Sequence, residues 1–105
     1  MAQLVIERIR EYLGEEQLGG FFISRPENVA YVSSYTGADS YLLITLDGAY
    51  FITDPRYTEQ AAGECPDFTI AEWRSLGGSV AGAVAALAKK ENIRGLAFEE
   101  SHLTV

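Results

Sequence analysis

Two apolar segments joined by an Asp-Gly pair place the strongest limit on how this chain can fold. The segments YLLITL (41–46) and AYFIT (49–53) flank Asp47 and Gly48. Both are rich in residues that favour strands, and an Asp-Gly pair favours the two-residue type I′ turn because both of its positions need a positive φ. Polar residues do not alternate with apolar ones in either segment. We therefore expect a hairpin in the centre of a sheet that is covered on both faces.

Helical and extended segments are predicted on either side of this hairpin. Apolar residues recur at helical spacing near both ends of the chain, and prolines mark two further helix starts. The helices are predicted over 2–18, 25–35, 54–65 and 75–92. The strands are predicted over 21–24, 41–46, 49–53, 68–73 and 94–99. This order predicts an α/β domain over 1–105, with a mixed sheet of about five strands flanked by helices.

Charge and composition exclude several kinds of partner. The formal net charge of the 105 residues is −7 and the isoelectric point is about 4.5, whereas a phosphate backbone attracts a basic surface. No apolar stretch approaches the roughly 20 residues that a membrane span needs. Cys65 is the only cysteine, so it has no partner for an internal disulfide. These features predict a cytoplasmic protein that binds neither nucleic acid nor membrane.

The segment TDPRY (53–57) follows the second hairpin strand. Asp54 is suited to an N-cap, where its carboxylate accepts a backbone N–H, and Pro55 is suited to the first helical position. Arg56 in a first helical turn opposes the helix dipole, which suggests a carboxylate partner. Simple exposure to solvent explains Arg56 as well. We predict that Asp54 is a structural cap and leave the role of Arg56 open.

A polar loop, YTGADSY (35–41), precedes the first hairpin strand. It carries phenols, hydroxyls and a carboxylate, and loops on a rigid sheet are common places for ligand contacts. A plain connection between a helix and a strand is the alternative. The composition of the loop alone favours the connection.

The common catalytic motifs are missing from the sequence. A catalytic metal centre needs several convergent His, Asp or Glu side chains, but the only histidine is His102 and no metal-binding spacing occurs. A serine nucleophile lacks the G-x-S-x-G turn. The segment LGGSVAG (76–82) lacks the spacings of nucleotide-binding loops, so Ser79 is predicted to be a helix cap. Cys65 lacks a basic neighbour and is predicted to be an inert thiol.

The order of the motifs between residues 25 and 61 resembles the N-terminal domain of prolidases, Xaa-Pro aminopeptidases and creatinase. The segment is RPENVAYVSSYTGADSYLLITLDGAYFITDPRYTEQA. The family pattern is roughly P-E-N-x-x-Y, [FY]-T-G, an apolar strand, D-G, a second strand and T-D-x-R-Y-x-x-Q-A. Each motif is short and unspecific, but the ordered set is specific.

The resemblance implies a ribonuclease-H-like α/β fold placed before a separate catalytic domain. That domain holds two divalent metal ions (Mn, Co or Zn) and hydrolyses the bond before proline in a peptide. Its metal ligands have no counterparts here, so we expect no catalytic residue and no metal ligand in this chain. Residues 100–105 begin a new element, from which we expect the chain to continue into that domain.

The resemblance also implies a homodimer in which the loop before the central strand approaches the active site of the other subunit. The residues that we assign to this substrate gating are Tyr35, Asp39, Ser40, Tyr41 and Arg56. Two alternatives stay open, a stand-alone interaction module of the same fold and a ribonuclease-H-like nuclease. The nuclease needs clustered carboxylates for Mg²⁺ and a basic groove, which the acidic chain does not favour. The sequence does not distinguish a dipeptide, a longer peptide or creatine as the substrate.

Overall fold

A mixed five-stranded sheet lies at the centre of the computed structural model, which describes residues 2–37 and 39–99. The strands are β1 (Gly20–Ile23), β2 (Tyr41–Thr45), β3 (Ala49–Thr53), β4 (Thr69–Glu72) and β5 (Leu96–Phe98). The helices are α1 (Ala2–Glu16), α2 (Pro26–Ser33), α3 (Thr58–Glu64), α4 (Trp73–Leu76) and α5 (Val80–Lys90). A 3₁₀ turn over Pro55–Tyr57 precedes α3. The predicted α/β class and five-stranded mixed sheet are confirmed.

The strands are arranged in the order β4-β3-β2-β1-β5. β2 pairs antiparallel with both β1 and β3, whereas the pairs β1–β5 and β3–β4 are parallel. Parallel strands need a crossover connection, and α3 supplies the one between β3 and β4. The predicted hairpin of β2 and β3 therefore occupies the interior of the sheet.

The connection in the hairpin differs from the predicted type I′ turn. Neither Asp47 nor Gly48 has a φ in the left-handed region. Instead, the Thr45 hydroxyl accepts hydrogen bonds from the N–H groups of Asp47 and Gly48, at 3.3 and 2.7 Å. The Thr45 N–H also donates to the Gly48 carbonyl at 2.9 Å. The threonine hydroxyl thus organises a turn that does not need positive φ angles.

Each strand of the hairpin contributes side chains to two apolar clusters, one on each face of the sheet. Leu42, Ile44 and Phe51 lie in the cluster that α1, α2 and α3 cover. Leu43 and Ile52 lie in the cluster that α5 covers. All five side chains have an exposure of 0%, so adjacent residues of one strand are both buried. Burial on both faces explains why these strands lack the alternation of a half-exposed sheet.

The helix predicted over 75–92 is interrupted, which corrects the prediction. Gly78 separates α4 from α5 and has a φ of +79°, a conformation that glycine adopts without strain. Trp73, predicted to end a strand, begins α4. The predicted cap of α5 is confirmed, because the Ser79 hydroxyl accepts the Gly82 N–H at 3.0 Å.

The other three predicted helices are present as α1, α2 and α3, and each is shorter than predicted. Within the described residues, no helix is long and apolar enough to cross a membrane. The element predicted at 100–105, with His102, lies outside the described residues.

A carboxylate that follows β5 fastens the amino end of α2. Glu99 Oε1 accepts the backbone N–H groups of Ser24 and Arg25 at 2.5 and 2.7 Å, and Oε2 accepts the side-chain amide of Asn28. Burial acts to raise the pKa of Glu99, but these hydrogen bonds outweigh it and lower the pKa below its ordinary value. Ser24 and Arg25 directly precede α2, and Asn28 lies in its first turn. Glu99 therefore fixes the start of α2 from a distant part of the chain.

We expect Glu99→Gln to destabilise the fold by about 1 to 2 kcal/mol at pH 7, since a charged acceptor is lost. A carboxylate with a lowered pKa contributes stability above its ordinary pKa of 4.5, and this contribution disappears as the pH falls through the folded value. The difference between the two chains should therefore shrink at about pH 3. Urea unfolding at both pH values measures it, with the exposed Glu11→Gln as the control. An equal loss from both substitutions would contradict the role of Glu99.

Candidate functional site

Polar side chains meet where β2 begins and where β3 and β4 end. β2 and β3 are antiparallel and β3 and β4 are parallel, so these three termini lie at the same end of the sheet. The Ser40 hydroxyl lies 3.0 Å from Thr53 Oγ1, and both side chains are buried. This pair joins the predicted loop (35–41) to the segment that contains Asp54. The structure thus brings together the two segments that the sequence analysis singled out.

Tyr35 lies beneath the loop and not on its surface. Its ring packs edge-to-face on Phe51 with centroids 4.7 Å apart, and its exposure is 2%. Burial raises the pKa of the Tyr35 hydroxyl, which the nearby Ser40 hydroxyl partly offsets, and no described residue forms a hydrogen bond to it with good geometry. A Cβ at Gly37 would lie 2.6 Å from this ring, so only glycine fits where the loop crosses it. Tyr35 therefore supports the loop from below.

Helix α3 holds the first half of the loop through a carboxylate. Glu64 Oε1 accepts the Thr36 N–H at 2.8 Å and the Thr36 hydroxyl at 3.0 Å. Gln60, one turn earlier on α3, donates its amide to Glu64 Oε2 at 3.1 Å. The Thr36 N–H is the main cause that lowers the pKa of Glu64, and burial only partly opposes it. The carboxylate is therefore charged at neutral pH and fixes the loop at Thr36.

Asp39 and Tyr41 lie in the second half of the loop. Asp39 is exposed, and its φ of +56° lies in the left-handed region, which Asp tolerates better than most residues. Tyr41 is half-buried and stacks on Phe22 with centroids 6.0 Å apart. The loop and the start of α2 enclose a cavity of about 80 Å³, which both residues help to line. The loop is therefore a shaped surface with a carboxylate and a phenol at its rim.

Asp54 lies at the N-cap of the 3₁₀ turn and binds two arginines. Its Oδ1 accepts the Arg56 N–H at 3.0 Å and Arg56 Nε at 3.1 Å, and its Oδ2 accepts Arg74 Nε at 3.1 Å. The Asp54 side chain is 5% exposed, whereas those of Arg56 and Arg74 are 69% and 63% exposed. The Arg56 N–H, followed by the two guanidinium groups, lowers the pKa of Asp54 against the effect of burial. The carboxylate partner suggested for Arg56 is thus Asp54, the cap residue itself.

Sequence reasoning does not identify Arg74 or Glu64 as part of this site. Arg74 reaches Asp54 because β4 pairs in parallel with β3, which brings the two strand ends side by side. No spacing in the sequence specifies that pairing. Glu64 is found only through its contact with Thr36. Its neighbour Gln60 belongs to the Q-A pair of the family pattern, and that match is the available signal for this corner of the site.

The thiol and the carboxylates of the described residues are poorly suited to catalysis or metal binding. Cys65 is 2% exposed, and burial raises the pKa of its thiol, which makes a thiolate unfavourable. Within residues 2–37 and 39–99, no three His, Cys, Asp or Glu side chains are grouped closely enough to hold a metal ion. The dinuclear metal centre implied by the resemblance therefore has no ligand set in this part of the chain.

Asp54→Ala should lower the melting temperature by several degrees, because it removes both the cap and the anchor of two guanidinium groups. Asp54→Asn should have a smaller effect, since the amide oxygen can still accept the Arg56 N–H. Thermal unfolding followed by circular dichroism measures both changes, with the exposed Asp47→Ala as the matched control. The same melting temperature for Asp54→Ala and Asp47→Ala would contradict this role.

Comparison with known proteins identifies relatives of this architecture. The family model described as the creatinase/prolidase N-terminal domain matches residues 6–105. The uncharacterized peptidase YqhT of Bacillus subtilis is 35% identical over 99 residues, which are 94% of this chain and 27% of that protein.

Solved structures agree with the sequence comparison. The Xaa-Pro dipeptidase from Bacillus anthracis is similar with a TM-score of 0.87 at 32% identity, over 99% of this chain and 28% of that chain. The N-terminal domain of the cytoplasmic peptidase PepQ from Mycobacterium tuberculosis is similar with a TM-score of 0.77 at 30% identity, over 95% and 75% of the two chains. The chain thus spans just over a quarter of the length of its first two relatives. Family model, sequence and fold agree, and the chain belongs to the creatinase/prolidase N-terminal domain family.

Proposed function

We propose that this chain is the non-catalytic N-terminal domain of a proline-specific metallopeptidase, an Xaa-Pro dipeptidase or aminopeptidase. The proposal rests on family membership together with length. The chain belongs to the creatinase/prolidase N-terminal domain family, and it covers only 27% and 28% of the length of two peptidase relatives. The remaining polypeptide of such a protein supplies the hydrolytic chemistry with two divalent ions, Mn, Co or Zn. The described residues offer no ligand set for those ions, so no chemical step is assigned to them.

The role that we assign to this domain is to form dimer contacts and to limit the substrate entrance of the other subunit. The loop 35–41 performs the second task, with Asp39 and Tyr41 as its contact residues. Its fixed position supports this assignment, because Glu64 holds the loop at Thr36 and Thr53 holds it at Ser40. Residues that are held by such contacts lose little conformational freedom when a substrate binds.

The loop acts on a short peptide by position and not by chemistry. A carboxylate at the entrance accepts hydrogen bonds from a peptide ammonium group, and a phenol can donate to a peptide carbonyl. A restricted entrance excludes water and holds the bond before proline in one orientation, which lowers the barrier to reaction. Tyr35 contributes through the packing that supports the loop.

Under this proposal the isolated 105-residue chain hydrolyses no Xaa-Pro peptide and retains no stoichiometric metal. The reason is that the metal ligands and catalytic groups belong to the second domain. Elemental analysis after incubation with Mn²⁺, Co²⁺ or Zn²⁺ and dialysis measures the metal content. One transition-metal ion bound per chain would contradict the proposal.

In the full-length enzyme, Asp39→Ala or Tyr41→Ala should lower kcat/KM by roughly tenfold to a hundredfold, because orientation of the substrate is lost. Metal content should stay the same, since neither residue is a ligand. Arg56→Ala should have a weaker effect, because its side chain is 69% exposed and is already bound to Asp54. Steady-state kinetics with an Xaa-Pro dipeptide measures these changes, and the exposed Glu11→Ala is the control.

A mixed dimer decides whether the loop acts across the subunit interface. One arrangement places the Asp39→Ala loop and an inactive catalytic domain on the same subunit, so the intact catalytic domain faces a mutated loop. The other arrangement places the two defects on different subunits, so the intact catalytic domain faces an intact loop. We expect lower activity in the first arrangement. Equal activity in both would remove the loop from substrate gating.

A further inference from the structure

The chain changes sides of the sheet between β3 and β4, which are parallel neighbours. The connection after β3 contains α3, whose Ala61 packs in the cluster on one face. The connection after β4 contains α5, whose Ala83 and Leu87 pack in the cluster on the other face. In open α/β sheets, ligands commonly bind beyond the carboxyl ends of adjacent parallel strands whose connections leave on opposite faces.

Two guanidinium groups lie beyond the carboxyl ends of these two strands, on a common buried anchor. Arg56 follows β3 and Arg74 follows β4, and each donates its Nε to a different oxygen of Asp54. Their hydrogen bonds to described side chains use Nε, and the two side chains are 69% and 63% exposed. Asp54 balances one of the two guanidinium charges, and Asp39 acts electrostatically on Arg56 from the loop side.

Two aromatic rings restrict the planes of these guanidinium groups. Arg56 Cζ lies 5.1 Å from the centroid of the Tyr57 ring, and Arg74 Cζ lies 5.0 Å from the centroid of the Trp73 ring. Each group is therefore held at its Nε and at one face. A planar guanidinium group that is fixed in this way loses little conformational freedom when its N–H donors bind a matching planar anion.

We propose that Arg56 and Arg74 form a binding site for a carboxylate group, which accepts hydrogen bonds from their Nη atoms. A carboxylate matches the guanidinium fork in shape and forms charge-assisted hydrogen bonds with it. The carboxylate belongs either to the C-terminus of a short peptide or to an acidic side chain of a protein surface that contacts this domain. Binding at this site does not require the loop 35–41 to act on another subunit. The experiment below can therefore contradict this site without contradicting the proposed function.

Trp73 provides a direct signal for the test, because it is the only tryptophan and lies against Arg74. We expect N-acetylproline, added to the 105-residue chain at low ionic strength, to cause a saturable change in tryptophan fluorescence. N-acetylprolinamide has the same shape without the charge and should cause none. The α-methylamide of N-acetylglutamate tests the side-chain source in parallel, and the tighter of the two carboxylates identifies the source. Equal responses to N-acetylproline and its amide, or no saturable response to either carboxylate, would overturn the proposal.

Variants separate a built site from general attraction of anions. Arg74→Gln should weaken binding roughly tenfold, since one fork is lost. Arg8→Gln removes the same charge from the exposed side of α1 and should leave the affinity unchanged. If Arg74→Gln unfolds the chain, Arg74→Lys keeps the charge without the fork and should still weaken binding several-fold. Equal weakening by Arg8→Gln and the Arg74 variant would overturn the proposal.

Discussion

Burial of both faces of the β2–β3 hairpin is the constraint on which the rest of the structure depends. Leu42 and Leu43 are adjacent in β2, yet they lie in different clusters and are both fully buried. A polar side chain in the middle of such a strand would lose its water without gaining a partner. Polar groups are therefore confined to the strand ends, as with Ser40 and Thr53, which pair with each other. The location of the candidate site follows from this confinement.

Carboxylates connect separate elements at these strand ends. Glu64 joins α3 to the loop, Glu99 joins the end of β5 to α2, and Asp54 joins the segments that follow β3 and β4. At the opposite end of the sheet, Glu91 accepts the Tyr50 hydroxyl at 2.6 Å, and this hydrogen bond is the main cause that raises the pKa of Tyr50 to about 12. Backbone N–H groups are among the donors in the first three cases. Part of the negative charge of the chain is therefore structural.

Local patterns in the sequence were sufficient for the features that depend on neighbouring residues. The hairpin, its position within the sheet and the Ser79 cap all follow from short segments. The type I′ turn was wrong because the Thr45 hydroxyl competes for the same backbone N–H groups, and propensity for a turn type does not include that competition. The partners of Glu99 and Arg74 could not be predicted, since they lie 71 to 75 and 20 residues away. Such contacts depend on strand order and register, which a single sequence does not specify.

The buried Ser40–Thr53 contact connects the loop to the arginine pair, because Thr53 directly precedes Asp54. At Asp54 a buried carboxylate holds two exposed guanidinium groups, those of Arg56 and Arg74, in position. A group held in this way binds with a smaller loss of conformational entropy than a mobile surface side chain. Under the proposed function, a domain without a metal ligand set in its described residues contributes to binding and specificity through orientation.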